Sequence, residues 1–209
     1  MAVGNVGMDN PPVTRGHGLL ERFLAKKRAV KANNLISETY RGGTILDIGS
    51  GAYPFFLLTT RFSQKYGIDK TFLVSSRTEP ENRPIALINH DIESEGPLPF
   101  NDEYFDVVTM LAVFEHIAPQ RLPNVFREVY RVLKKGGVII LTTPAAWTGW
   151  ILEGMARIRL VSTVEIEEHK RLYKADCIVG ALRQCGFASD KIQLGYFELH
   201  MNTWATAIK

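Results

Sequence analysis

The stretch Thr44-Ile45-Leu46-Asp47-Ile48-Gly49-Ser50-Gly51 constrains this chain most. Its first part reads as a short buried strand, and Gly49 and Gly51 let the backbone turn tightly and approach a ligand closely. Pro54 to Phe62 follows in a helical pattern, with Pro54 suited to a first helical turn. A strand that passes through a glycine turn into a helix belongs to α/β folds, where ligands collect at the carboxyl ends of the strands.

The surrounding sequence repeats that alternation. Leu19 to Tyr40 places Leu20, Phe23, Leu24, Val30, Leu35 and Ile36 at helical spacing, and Gly42-Gly43 stops it. Further strands are expected at Lys65–Asp69, Ile85–Ile88, Phe105–Met110 and Val138–Thr142, with a helix from Pro123 to Leu133. Lys70 to Pro84 is written poorly for the crossover helix expected there, because Ser75, Ser76, Pro80 and Pro84 favour a short helix or a loop. Leu172 to Cys185 reads as another helix. Ile192–Tyr196 and Trp204–Ile208 read as a closing hairpin at an antiparallel edge. The pattern predicts an α/β fold, a doubly wound, Rossmann-like and mostly parallel sheet covered on both faces.

A chain of 209 residues with 45% apolar content suits one packed domain. The expected organisation is a flexible start over residues 1–18, rich in Gly, Asn and Pro, then a single domain over 19–209. An apolar, aromatic insert at 145–171 carries Trp147, Trp150, Arg157 and Arg159. No leader peptide and no run of apolar residues long enough to span a bilayer is written, so a cytoplasmic protein is expected. Cys177 and Cys185, eight apart on a helix, would lie about 12 Å from each other, too far for a disulfide. They read as buried thiols, and nothing has metal-ligand spacing, so no metal is expected. The net charge of +3 is mild. The densest basic stretch, Lys26-Lys27-Arg28 with Lys31, reads first as a solvated helix face. Contact with an anionic acceptor or a membrane surface comes second, and nucleic acid is disfavoured.

The acids give the glycine turn its chemistry. A dinucleotide fingerprint needs a third glycine where this chain has Pro54, and Asp47 just before the turn would repel a pyrophosphate. No Gly-Lys-Ser/Thr follows, which excludes a phosphate loop. A carboxylate at Asp47 instead suits a positively charged ligand. Asp69 ends the second strand, where it can accept from ribose hydroxyls. Asp91 follows the third, where it can accept from an adenine amino group while Ile92 covers the ring.

With these pieces in order, the sequence resembles the class I S-adenosylmethionine-dependent methyltransferases of the small single-domain type. The resemblance is carried by Ile45–Gly51, Gly67-Ile68-Asp69, Asn89-His90-Asp91-Ile92, Leu98-Pro99-Phe100 with Phe105-Asp106-Val107-Val108, Phe114-Glu115-His116-Ile117, and Glu128-Val129 through Gly136-Gly137. It implies a seven-stranded sheet with its last strand antiparallel, and S-adenosylmethionine as cofactor. Asp47, Gly49 and Gly51 would hold the cofactor's methionine end, Asp69 its ribose, and Asp91 with Ile92 its adenine. Leu111 and Ala112 would pass beneath it. Tyr53 departs from the family by replacing the last glycine of the turn.

Methyl transfer from a sulfonium is a direct displacement, so a protein has mainly to align the acceptor and exclude water. A hydroxyl acceptor also needs a base. His169 and His116 are the candidates, His116 with a bracing role as the plainer reading. The insert over the strand ends would form an acceptor lid. No Asn-Pro-Pro-Tyr type of motif is present, which disfavours nucleobase amino groups. The expected acceptor is a small molecule, a lipid precursor or a saccharide, taken on oxygen. A methyltransferase-like binding protein without turnover and an RNA methyltransferase are the alternatives. A nicotinamide-dependent oxidoreductase fails on Pro54 and Asp47. The oligomeric state is not written in the sequence.

Overall fold

The computed structural model describes residues 19–71, 76–78, 85–93, 96–145 and 175–209. The expected N-terminal segment, nearly all of the insert at 145–171 and His169 lie outside the described residues.

Eight strands form one sheet: β1 (Thr44–Ile48), β2 (Gln64–Asp69), β3 (Ser76–Thr78), β4 (Ile85–Asn89), β5 (Phe105–Leu111), β6 (Leu133–Pro144), β7 (Ile192–Phe197) and β8 (Asn202–Ile208). Their order is β3-β4-β2-β1-β5-β6-β8-β7. The strands β4, β2, β1, β5 and β6 run parallel, and β8 enters antiparallel between β6 and β7. This is the mostly parallel sheet with a C-terminal antiparallel hairpin that the sequence implied. The short β3 adds an antiparallel edge on β4, pairing Ser76 with Leu87 and Thr78 with Ile85. The segment after Asp69 thus contributes a strand where a short helix or a loop was expected. An edge strand needs no partner on its outer side.

The strand order reverses direction of growth at β1, with β2 on one side and β5 on the other. A crevice therefore opens beyond the carboxyl ends of these strands. Among the described residues, four helices cover the faces: α1 (Leu19–Leu35), α2 (Phe55–Thr59), α3 (Leu122–Val132) and α4 (Ala175–Gln184). α1 buries Ala29 and Ala32, joined by Ile36 just past its end, against Ile45, Phe56, Leu57, Val107 and Ile140. The small alanines let that helix lie close to the sheet. α3 buries Leu122, Val125, Phe126, Val129 and Val132, one stripe at helical spacing, against β5, β6 and α4.

Two polar braces hold the layers. Arg131 donates to Glu128 Oε2 (2.7 Å), Asp102 Oδ1 (2.7 Å) and the carbonyls of Phe100 (2.8 Å) and Leu98 (3.1 Å). It thereby pins the Leu98–Asp102 turn to α3, and its charge and hydrogen bond hold Glu128 below the usual carboxylate range. On the other face the buried Lys65 of β2 donates to the carbonyls of Leu57 (2.8 Å) and Thr60 (3.1 Å). It closes the C-terminal end of the short α2, whose last carbonyls have no partner within the helix. Lys65→Met keeps the apolar stem and removes the donors. It is expected to cost about 2–3 kcal/mol and to lower the melting temperature by roughly 5–10 °C in calorimetry.

The cysteines depart from expectation. Cys177 is exposed and Cys185 is partly buried, its Sγ donating to the Pro123 carbonyl at 3.4 Å; both are free thiols. Cys177 occupies α4 on the side opposite Ile178 and Leu182, the residues that α4 buries.

Candidate cofactor site

The glycine turn rides on β2. The N–H groups of Gly49 and Ser50 both donate to the Ile68 carbonyl, at 2.8 and 3.3 Å. Gly49 and Gly51 adopt φ of +73° and +71°, the left-handed region that favours glycine. Gly49 has a second constraint: a Cβ there would collide with Val113 Cγ2, so the segment after β5 closes directly onto the turn. At Gly51 nothing lies within 4 Å of such an atom. Gly67 in β2 makes room for Ser50, since a Cβ at Gly67 would lie 2.7 Å from Ser50 Oγ.

Two of the acids are built into this turn. Asp69 Oδ2 accepts the Gly51 N–H at 2.9 Å, and its Oδ1 accepts the N–H (2.8 Å) and hydroxyl (2.6 Å) of Thr71. Asp69 therefore ties the glycine turn to the end of β2. Asp47 is 4% exposed and pairs across the strand boundary with Thr109 of β5, whose Oγ1 donates to Asp47 Oδ1 at 2.6 Å. Burial pushes the Asp47 carboxyl up to about 7, the Thr109 hydrogen bond resists this, and the charge of Asp69 adds to it. A group that titrates near neutrality at a strand end becomes a carboxylate readily when a cation arrives.

Asp91 lies further out. It is exposed and accepts the Glu93 N–H at 2.9 Å, closing a turn after β4. Ile92 is half-buried and packs against the main core cluster. Leu111 ends β5, and Ala112 holds φ +56° with its N–H donating to the Thr142 carbonyl at 2.9 Å. A non-glycine residue in that region is strained, and such residues cluster where a chain must turn for function. Here the strain sends the chain away from β5 and sets Val113 over Gly49. His116 closes a single 3-10 turn, Phe114–His116, at the same end of the sheet. Asp47, Gly49, Gly51, Asp69, Leu111 and Ala112 thus converge on the crevice, with Asp91 and Ile92 on its β4 side and His116 beyond β5.

Several residues of this region were not legible in sequence. Thr109 looks like any strand threonine until register sets it opposite Asp47. Glu115 is 0% exposed, with Thr143 Oγ1 donating to its Oε2 at 3.0 Å and no partner for Oε1. Ser50 Oγ and His90 Nε2 are also buried without a hydrogen-bond partner. Unmet polar atoms are costly, and in native proteins they concentrate where a ligand or water completes them. α2 has only five residues, and its first N–H is taken by the Tyr53 carbonyl at 2.8 Å. A ligand at this turn would therefore meet the acids more than a helix end.

These features fit S-adenosylmethionine. Its ammonium and sulfonium charges suit Asp47, its ribose hydroxyls suit Asp69, and the orphaned Ser50 Oγ offers a further polar contact at the turn.

Comparison with known proteins agrees with that geometry. Residues 46–141 match the family model described as a methyltransferase domain. A tRNA N(3)-cytidine methyltransferase of Gallus gallus is 28% identical over 134 residues, covering 57% of this chain. The match spans about a third of that relative, 36% of its length. Among solved structures, an S-adenosylmethionine-dependent methyltransferase of Thermotoga maritima aligns over 91% of both chains with TM-score 0.64 and 19% identity. One from Mesorhizobium loti aligns over 89% of this chain and 100% of its own, with TM-score 0.62 and 16% identity. The chain has the fold of the small class I S-adenosylmethionine-dependent methyltransferases.

Proposed function

We propose that this protein transfers the methyl group of S-adenosylmethionine to an acceptor held over the carboxyl ends of β5 and β6. The observation that carries this reading is the pairing of a buried Asp47, whose carboxyl burial pushes up to about 7, with an Asp69 that organises the glycine turn. Asp47, Gly49 and Gly51 would hold the methionine end, Asp69 the ribose, and Asp91 and Ile92 the adenine. Leu111 and Ala112 would supply backbone beneath. When bound, the cofactor supplies a methyl on a sulfonium, whose transfer breaks the S–CH3 bond and leaves S-adenosylhomocysteine. The chain's own task is to orient the acceptor in line with that methyl and to keep water out.

The preferred acceptor is a hydroxyl of a small molecule, a lipid precursor or a saccharide. The new bond is O–CH3, and the hydroxyl proton passes to a base, for which His169 and His116 are the candidates. RNA is the second reading, favoured by the similarity to the tRNA N(3)-cytidine methyltransferase of Gallus gallus.

Calorimetric titration with S-adenosylhomocysteine tests the cofactor assignment, with NAD as control. Binding of the first alone is expected. Binding of NAD, or of neither, would overturn the reading. Binding without turnover on hydroxylated metabolites, glycans or RNA would instead mark a methyltransferase-like binding protein.

A further inference from the structure

We propose that the face made by the first half of α1 and the β7–β8 turn docks on an anionic lipid bilayer, bringing the acceptor end of the sheet to the membrane. The methyl-transfer reading enters only in the consequence: among the acceptors named above, it selects a lipid precursor.

The position of the face follows from contacts along α1. Tyr40, just past that helix, donates to the Gly136 carbonyl at the start of β6 (2.7 Å), whereas Lys31 sets its Nζ 4.5 Å from the ring centre of Trp204. Trp204 pairs with Thr142 near the end of β6. α1 therefore climbs toward the carboxyl ends of the strands as it is followed back to Phe23. β7 runs in the same direction as β6, so its turn with β8 emerges at that end too, and the Ala145 N–H donates to the Met201 carbonyl there (2.9 Å). The two pieces adjoin through Lys31, whose Nζ lies over the Trp204 ring of β8, and burial pushes up the Glu198 carboxyl while the charges of Arg28 and Lys27 oppose this.

The chemistry of the face is apolar and basic. Phe23, Lys26, Lys27 and Val30 share one outward stripe of α1, opposite the buried Ala29, Ala32 and Ile36. Phe23 is 53% and Val30 49% exposed, and Lys27 Nζ sits 5.2 Å from the Phe23 ring centre. In the turn, Glu198, Leu199 and His200 take φ of +53°, +55° and +66° in succession, although none is glycine. L-residues avoid such a run because the side chain crowds the following carbonyl. The turn is nevertheless held: the Met201 N–H donates to the Glu198 carbonyl (3.0 Å), and Asn202 Nδ2 to Glu198 Oε2 (2.7 Å). Its outcome is Leu199 projected to 90% exposure, beside the half-exposed Tyr196.

Leu199, the most exposed of these side chains, and Val30 have no π-face for a nucleobase to stack on, whereas hydrocarbon accepts them and the Phe23 and Tyr196 rings alike. Hydrocarbon for Leu199 and Phe23, with anionic headgroups for Lys26 and Lys27, satisfies both halves of the face. Reversible bilayer attachment takes just such a paired apolar and basic signal.

The test is co-sedimentation of the full chain with vesicles of phosphatidylcholine alone and of phosphatidylcholine mixed equally with phosphatidylserine. Partition into the mixed vesicles, weakened by salt, is expected. Leu199→Ser should weaken it about tenfold, and the Lys26→Glu, Lys27→Glu double variant by more than about tenfold. Both variants should keep the parent's melting temperature and affinity for S-adenosylhomocysteine. No partition into the mixed vesicles, or partition indifferent to both variants, would overturn the proposal. So would salt-sensitive binding of tRNA through the same lysines without vesicle binding. Loss of S-adenosylhomocysteine binding in the parent would count against methyl transfer and leave the docking result standing.

Discussion

Replacing Asp47 with asparagine is expected to stabilise the protein above neutral pH while removing its affinity for S-adenosylhomocysteine. Burial raises the folded-state carboxyl from 3.8 to about 7, so the folded protein holds this proton more tightly than the unfolded chain. The associated stability is complete below about pH 4 and is lost as pH rises through about 7. Above that window the folded state carries an ionised, buried carboxylate at a cost of up to a few kcal/mol. Asparagine keeps an oxygen for the Thr109 hydroxyl and carries no charge. Melting temperatures of parent and variant should be close near pH 4 and separate by roughly 5 °C at pH 8, the variant being higher. The same carboxylate is what a ligand ammonium requires, so affinity should fall by about 100-fold or more in the variant. In the parent, affinity should rise with pH between about 6 and 8, and that dependence should vanish in Asp47→Asn. A variant that binds as the parent does, with unchanged pH dependence, would remove Asp47 from the site.

Asp69→Ala is the second large effect, and both binding and stability should suffer. The carboxylate accepts from Gly51 on one oxygen and from Thr71 on the other. Alanine leaves these donors unmet and releases the glycine turn from the end of β2. A loss of about 2–3 kcal/mol in stability is expected, with S-adenosylhomocysteine binding weakened at least about 100-fold by titration calorimetry. Asp69→Asn separates turn geometry from charge. An amide has one oxygen, so either Gly51 or the Thr71 pair must face an NH2 group. The asparagine variant should therefore also bind poorly, although its shape is nearly unchanged. Parental binding by Asp69→Asn would show that the two-sided carboxylate is not what holds the turn.

Much of the fold was legible because its signals are local. The apolar run Ile45–Ile48, the two glycines and the acids at 47, 69 and 91 report strand, turn and strand end from residue type alone. The hairpin 192–208 was legible for the same reason. The segment after Asp69 was not, because an edge strand such as Ser76–Thr78 is chosen by an available neighbour, β4, more than by its own propensity. α2 came out shorter than its helical pattern, since Lys65 from a different element closes it at Thr60. The exposure of Cys177 depends on which side of α4 meets the sheet, and a sequence with small residues on both sides does not declare that.

By itself the sequence determined the class of fold, the polarity of the glycine turn and the acids able to meet a cationic, ribose-bearing ligand. These rest on short-range chemistry: backbone freedom at glycine, short runs of apolar residues and carboxylates at strand ends. Tertiary structure alone decided what each acid does. Register brought Thr109 to Asp47 and Val113 to Gly49, and burial, a property of the whole packed domain, moved the Asp47 carboxyl toward neutrality. It also placed Lys27 and Arg28 beside a turn some 170 positions later in the chain, about 198–200, because a sheet folds distant strands next to its first helix.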